Sequence, residues 1–319
     1  MSDIVILGEV MIELAPLNEK RYALGAAGDT YNTACTLQGL GVDVAYVTAL
    51  GSGLQADRIR THAASHHVTL AEPDIDPLRH PGLYLISTDD AGERSFEYWR
   101  NDSAASALFK QPTTLLALLE PLKNTPYLYF TGITLALMNE ASQQMLLSFL
   151  HEYRSRGGTV IFDPNFRPAL WPSAAEAAAA IAQVQALTDI YLPGFEEEET
   201  LFGFASIDEA AQALLNASAR EVILKNGAQT CTLIADDSIR EVNIEPAREV
   251  LDTTGAGDTF NGAYIAARLA HIAAIDAITF AGQTATEVLQ VNGGVLATAQ
   301  LQQMKGILQS LKQQQQQQQ

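Results

Sequence analysis

Short, β-branched apolar runs recur along this chain, separated for most of its length by Ala/Leu/Gln-rich stretches long enough for helices. They are Ile4 to Leu7, Val44 to Leu50, Tyr127 to Phe130, Thr159 to Phe162, Ile190 to Leu192 and Val222 to Leu224. A run that is apolar at every position reads as a strand buried on both faces, and strands that alternate with helices read as βαβ units. The expected fold is α/β: a three-layer αβα domain around a mostly parallel central sheet. Two places break the rhythm. Met11 to Leu17, Gly82 to Ser87 and Ser95 to Arg100 alternate polar with apolar residues and have no helix between them, and Asp89-Asp90-Ala91-Gly92 supplies a turn between the last two. They are expected to form a small antiparallel lid sheet, inserted at about residues 10–28 and 81–103 of a single domain spanning residues 1–312. The other break is the end: Gln313 through Gln319 is a low-complexity tail with nothing to bury, expected to be disordered or a frayed helix extension.

Charge narrows the range of partners. Nineteen Lys plus Arg stand against 37 Asp plus Glu among 319 residues, a formal net charge of −18. A broad electrostatic footprint for nucleic acid or an anionic membrane is excluded, so any anion must be held locally. No apolar run approaches the ~18 residues of a membrane span, and Met1-Ser2-Asp3 leads into the first strand without a basic leader. A cytoplasmic protein is expected. Cys35 and Cys231 are far apart and have no partner spacing, so they read as small buried hydrophobes.

The chemistry concentrates in Asp252-Thr253-Thr254-Gly255-Ala256-Gly257-Asp258-Thr259-Phe260, followed by helical periodicity to Leu269. Small residues let backbone N–H groups approach a ligand closely, and the helix start adds its dipole, so the segment reads as an anion cradle suited to phosphate. Asp258, in the first turn, can cap the helix or act as a general base toward a hydroxyl. A Gly-x-Gly-Asp segment by itself is more often a plain helix cap. There is no GxxxxGK[ST] loop and no protein-kinase HRD or DFG set. Near the other end, Gly25-Ala26-Ala27-Gly28-Asp29-Thr30-Tyr31-Asn32 is a glycine-bearing turn that opens a second helix.

These two segments closely resemble the signatures of the PfkB, or ribokinase-like, carbohydrate kinases. One departure is Ala27, which stands where the family's Gly-Gly pair has its first glycine; a positive φ there would strain an alanine. The resemblance runs over residues 3 to 300 and is greatest to the members acting on 2-keto-3-deoxygluconate. It rests on Gly8-Glu9-Val10-Met11-Ile12-Glu13-Leu14, Pro81-Gly82-Leu83-Tyr84, Gly92-Glu93-Arg94 with Tyr98-Trp99-Arg100-Asn101, and Asp163-Pro164-Asn165-Phe166-Arg167-Pro168. What it implies is a ribokinase-like fold with a lid, and transfer of the γ-phosphoryl of ATP to a 6-hydroxyl. It makes Asp258 the base and Gly255, Ala256 and Gly257 the anion hole. It assigns Gly28, Asp29, Asn32, Tyr84, Tyr98, Arg100, Arg167 and Asp258 to the sugar acid, and Asn165, Arg167, Lys225, Gly227, Gly255, Gly257 and Asn292 to ATP. Glu197 follows from the family's Asn-x-x-Glu segment, which organises Mg²⁺ through water, although Gly194 replaces that motif's Asn and the acids Glu196 to Glu199 also suit a solvated helix start. The adenine pocket is expected near the C-terminal helices, with Asn292 and Gly293 beside it. Independently of the resemblance, a planar guanidinium suits a substrate carboxylate because it can hold it through paired, charge-assisted hydrogen bonds.

Two other readings stand beside the sugar-acid kinase. A kinase of a neutral sugar such as fructose or ribose would share the fold and the Gly-Ala-Gly-Asp segment, and a non-catalytic sugar-acid-binding regulator would keep the pocket without turnover. The lid's apolar face and open edges suit pairing between copies, so a homodimer or larger homo-oligomer is expected. Whether a monovalent cation acts through the loop beginning at Asp252 is open at this point.

Overall fold

The computed structural model describes residues 2–318 apart from Glu19, Ile75, residues 89–93, Ala228, Gln229 and Asn292. The lid turn expected at 89–92 and the candidate Asn292 therefore lie outside the described residues.

Thirteen strands form two sheets among the described residues. They are β1 (Ile4–Leu7), β2 (Met11–Asn18), β3 (Arg21–Ala27), β4 (Val44–Val47), β5 (Thr69–Ala71), β6 (Leu83–Thr88), β7 (Arg94–Trp99), β8 (Tyr127–Thr131), β9 (Thr159–Asp163), β10 (Ile190–Tyr191), β11 (Glu221–Asn226), β12 (Thr230–Ala235) and β13 (Ser238–Asn243). The nine-stranded sheet runs β13-β12-β11-β10-β9-β8-β1-β4-β5. It is parallel from β11 to β5 and antiparallel only where β12 and β13 complete one edge.

Why the strand runs are apolar at every position is visible in how they divide. Ile4 and Ile6 point into one core, together with Tyr46, Tyr129, Ile161 and Ile223. Val5 and Leu7 point into the other, together with Leu128, Phe130, Val160, Phe162 and Leu224. The period-2 alternation of a strand thus feeds two helical layers. The helices Asp29–Leu40, Leu54–Ser65, Ala256–Leu269 and Ala274–Val288 cover the first face; Pro112–Leu119, Glu140–Ser155, Ala174–Gln185 and Ile207–Leu215 cover the second. Cys35 and Cys231 are free and buried. No helix among the described residues is long and apolar enough to cross a membrane.

The lid is a four-stranded sheet, β3-β2-β6-β7. It differs from the expected antiparallel sheet in two ways. The central pair, β2 with β6, is parallel, because the chain returns from β3 through several main-sheet elements and re-enters the lid in the same direction. And β3, absent from the sequence expectation, pairs antiparallel with β2 from Met11↔Ala27 to Asn18↔Arg21. Ala27 therefore sits in extended backbone and is not among the residues with positive φ, so the missing first glycine carries no strain. Of the two forms expected for the glutamine tail, the described residues take the helical one: Thr298–Gln318 is one helix. Glutamine is a good helix former, and no proline or glycine follows Gly306 to stop the helix.

Candidate active site

Strands β1, β8, β9 and β11 end on one side of the sheet, and their carboxyl ends, with the starts of two helices, frame a cleft. This is where open α/β sheets place ligands. The cleft, about 390 Å³, is lined by Asp163, Asn165, Arg167, Glu197, Lys225, Gly227, Thr253 and the Gly255–Asp258 turn, among others.

Gly255 opens the helix Ala256–Leu269 from a left-handed backbone (φ 72°), and no side chain caps that helix start among the described residues. A Cβ on Gly255 would meet the Gly294 backbone at 2.5 Å, so only glycine lets the turn pass there. Asp252 fastens the loop by accepting from Thr254 N at 2.8 Å and from Gly293 N at 2.8 Å. Three residues into the turn, Asp258 is half-buried. Its Oδ2 accepts from Asn32 Nδ2 at 2.8 Å, and its carbonyl from Thr33 Oγ1 at 3.0 Å. Burial, followed by the negative charge of Asp29, pushes the Asp258 carboxyl well above the ordinary carboxylate range; the Asn32 hydrogen bond pulls the other way, Asp163 adds to the rise and Arg167 opposes it.

The helix Asp29–Leu40 brings Asp29 and Asn32 in from the lid's root. Gly28 precedes it in extended backbone (φ 169°). A Cβ there would come within 2.3 Å of the Glu9 carbonyl oxygen, so the close crossing of two chain segments requires glycine. Asp29 Oδ2 accepts from Thr131 Oγ1 at 2.5 Å and Asn165 Nδ2 at 3.0 Å. Asn165, at the end of β9, takes a left-handed backbone (φ 34°) and donates its N–H to Asp163 Oδ1 at 3.0 Å.

Lys225 lines both the cleft and a cavity beside it, and its ammonium is already paired. Its Nζ lies 3.0 Å from Asp163 Oδ2 and 3.3 Å from Asn261 Oδ1, and Asn261 Nδ2 donates to the same Asp163 oxygen at 2.5 Å. Arg167, by contrast, is 57% exposed, and its nearest acid is Glu197 Oε1 at 4.0 Å. Glu197 supplies one half of a capping box, its carboxylate reaching back to the helix start: Oε2 accepts from Gly194 N at 3.1 Å, and Oε1 from Phe166 N at 2.9 Å. Burial and then the Asp163 charge push its carboxyl upward. Among the described residues no group of three or more His, Cys, Asp or Glu could hold a metal ion.

The lid contributes one face. Glu13, Tyr84 and Tyr98 stand side by side across β2, β6 and β7. The Tyr84 hydroxyl donates to Glu13, a residue to which sequence reasoning gave no role although it stands within the quoted Gly8 to Leu14 stretch. Tyr98 is 51% exposed. Arg100, expected as a substrate contact, is buried against Glu9, with Nη2 2.5 Å from Glu9 Oε2. Next to the cleft, an apolar cavity of about 240 Å³ is lined by Ile244, Phe260, Gly282, Ala285, Leu289 and neighbours. Its walls are almost wholly apolar, and Gly293, the expected neighbour of an adenine pocket, is not among them.

The family model for pfkB family carbohydrate kinases matches residues 1–300. Two curated relatives are named 2-dehydro-3-deoxygluconokinase. That of Escherichia coli (strain K12) is 37% identical over 302 residues, covering 92% of this chain and 96% of the relative. That of Dickeya dadantii (strain 3937) is 37% identical over 306 residues, covering 92% and 97%. A solved E. coli structure described as a ribokinase II in complex with ATP and Mg²⁺ superposes with a TM-score of 0.80 at 23% identity, over 97% of this chain and 100% of that one.

Proposed function

The chain belongs to the pfkB family of carbohydrate kinases, and from that premise we propose that it transfers the γ-phosphoryl group of ATP to the 6-hydroxyl of 2-dehydro-3-deoxygluconate, the 2-keto acid for which its 37%-identical relatives are named. The observation that carries this reading is the Asp258 carboxylate, held by Asn32 at the mouth of an uncapped glycine turn that opens a helix. As the new O–P bond forms and the β,γ P–O bond breaks, the hydroxyl proton passes to Asp258 and ADP leaves. Gly255, Ala256 and Gly257 offer backbone N–H groups to the transferring oxygens, and the exposed Arg167 meets the phosphates. Orientation can supply about 7–11 kcal/mol and the base about 10²–10⁴-fold, so placement of the two reactants lowers the barrier more than proton removal does.

ATP fits the residues present: a glycine turn with room over Gly257, an exposed guanidinium that spends only Nη1 on the Phe166 carbonyl and Glu197, and an adjoining apolar cavity for adenine. Mg²⁺ neutralises phosphate charge when bound. With Glu197 occupied by two backbone N–H groups, this chain would hold the ion through water and through the nucleotide's own oxygens. Gly28, Asp29, Asn32, Tyr84, Tyr98 and Arg100 belong to the acceptor side in this reading. Exposed Leu17, Tyr22, Leu24, Phe96 and Trp99 support pairing of two copies through the lid.

The test is ADP release with ATP and Mg²⁺ against 2-dehydro-3-deoxygluconate, its galactonate epimer, fructose and ribose, each alone. Turnover confined to the keto acids supports the reading. A preference for a neutral sugar would keep the base and move the specificity, and silence on all four would favour a binding protein.

A further inference from the structure

Glu9 is a carboxylate that the chemistry above does not use, yet it is only 3% exposed. It follows β1 at the point where the chain leaves the main sheet for the lid. Its Oε1 accepts from Ser103 Oγ at 2.5 Å, and its Oε2 lies 2.5 Å from Arg100 Nη2. Ser103 in turn caps the helix Ala104–Leu108 by accepting from Ser106 N at 3.0 Å. One carboxylate therefore ties together the end of β1, the residue after β7 and the first helix beyond the lid. Gly82 leaves room for the pair: a Cβ there would approach Glu9 Oε1 to 2.8 Å and Arg100 Cβ to 3.2 Å.

Arg100 is the first residue after β7, beside Tyr98, which pairs with Tyr84 and through it with Glu13. Its guanidinium carbon sits 5.8 Å from the centre of the Tyr98 ring. It is 6% exposed; its contact with Glu9 is a close ion pair, and both its Nε and Glu9 Oε2 are buried without a well-directed hydrogen bond. A buried guanidinium with one nitrogen anchored and another unsatisfied is oriented but incomplete as a donor set. A planar carboxylate is the acceptor that would complete it. Resting on the sugar-acid reading, we propose that Glu9 is a positioning residue that orients the Arg100 guanidinium for the carboxylate of the acceptor substrate. Glu9 touches no substrate atom in this role; it acts through Arg100.

The test is steady-state kinetics of Glu9→Gln, Glu9→Asp, Arg100→Ala and the double variant Glu9→Gln/Arg100→Ala, with ATP and 2-dehydro-3-deoxygluconate. Glu9→Gln is expected to raise KM for the keto acid about 10- to 100-fold, the range of a charged hydrogen bond, with a much smaller fall in kcat and a much smaller change in KM for ATP. Glu9→Asp, which restores the carboxylate one methylene short, should recover part of that loss. In the Arg100→Ala background, Glu9→Gln should add nothing further to KM. A purely structural role would lower Tm or the active fraction and leave KM for the keto acid where it was, which overturns the proposal. An equal KM increase from Glu9→Gln with and without Arg100 overturns it as well. If the wild-type protein does not turn over the keto acid, the functional reading falls and this inference with it; an unmoved KM with wild-type turnover intact removes the Glu9 role alone.

Discussion

Asn32 and Asp258 are 226 residues apart in the chain, yet the Asn32 amide donates to the Asp258 carboxylate across 2.8 Å. The contact joins the starts of two helices, Asp29–Leu40 and Ala256–Leu269, which pack on the same face of the main sheet. It also sets up an opposition. Asn32 stabilises the charged carboxylate, while burial and the neighbouring Asp29 charge disfavour it. If Asp258 is the base, as proposed, it is tuned from the lid's root, where the acceptor would arrive.

That opposition fixes how turnover depends on pH. Asp258 works as a base only when ionised, so the acidic limb of kcat/KM lies above the ordinary carboxylate range, as its raised pKa requires. Asp29→Asn removes the charge that raises it and should move the limb to lower pH; Asn32→Ala removes the hydrogen bond that lowers it and should move the limb up. Both limbs come from pH–rate profiles under saturating ATP. Limbs that coincide with that of the wild-type protein would mean that another group titrates.

The same shift has a stability consequence. A carboxyl whose folded pKa is raised binds its proton more tightly in the native state, so stability falls as pH rises from the unfolded carboxylate value through the folded one. Asp258→Asn abolishes that cost. Its Tm should exceed the wild-type Tm by about 2–4 °C at pH 8, corresponding to about 1 kcal/mol, with a smaller gap at pH 5. Turnover should fall about 10²–10⁴-fold in the same variant. A Tm difference independent of pH would disconnect Asp258 from the shift.

Gly28 offers a backbone test. Its φ of 169° is open to any residue, so Gly28→Ala fails for a different reason: the new Cβ would sit 2.3 Å from the Glu9 carbonyl. Backbone on both sides has to move, and the movement displaces Asp29 and Asn32. Turnover should drop at least about 10²-fold, as expected when a reacting geometry shifts by about an ångström. Normal kinetics in Gly28→Ala would show that the crossing can relax without moving the helix.

Much of this was readable from sequence because the signals are local. Ile4 to Leu7 is apolar at each position since Ile4 and Ile6 serve one core while Val5 and Leu7 serve the other. Asp252 to Asp258 announces a helix start by its small residues alone. Strand β3 stayed hidden because Leu24-Gly25-Ala26-Ala27 has no β-branched residue, and its extended form is imposed by pairing with β2. The Glu9–Arg100 pair could not be read either: each residue belongs to a different motif, and only the parallel β2–β6 contact brings the two motifs together. The apolar cavity lies by the C-terminal helices, where an adenine pocket is expected, but its wall residues Ile244, Gly282, Ala285 and Leu289 are ordinary core residues that carry no motif and could not be named.

That cavity gives the remaining prediction. Ala285 is half-buried in its wall, where a larger side chain would grow into empty volume rather than into packed core. Ala285→Phe should therefore leave Tm near the wild-type value and raise KM for ATP by about tenfold or more, about 1.4 kcal/mol of lost binding. KM for the keto acid should barely move, because Tyr84, Tyr98 and Arg100, the residues proposed for the acceptor, are not among those lining the cavity. Isothermal titration with a non-hydrolysable ATP analogue separates the two: weaker nucleotide binding with intact acid kinetics places adenine against Ala285. Unchanged nucleotide affinity would place the base elsewhere along the cleft, toward Asn226, which lines the cleft but not the cavity.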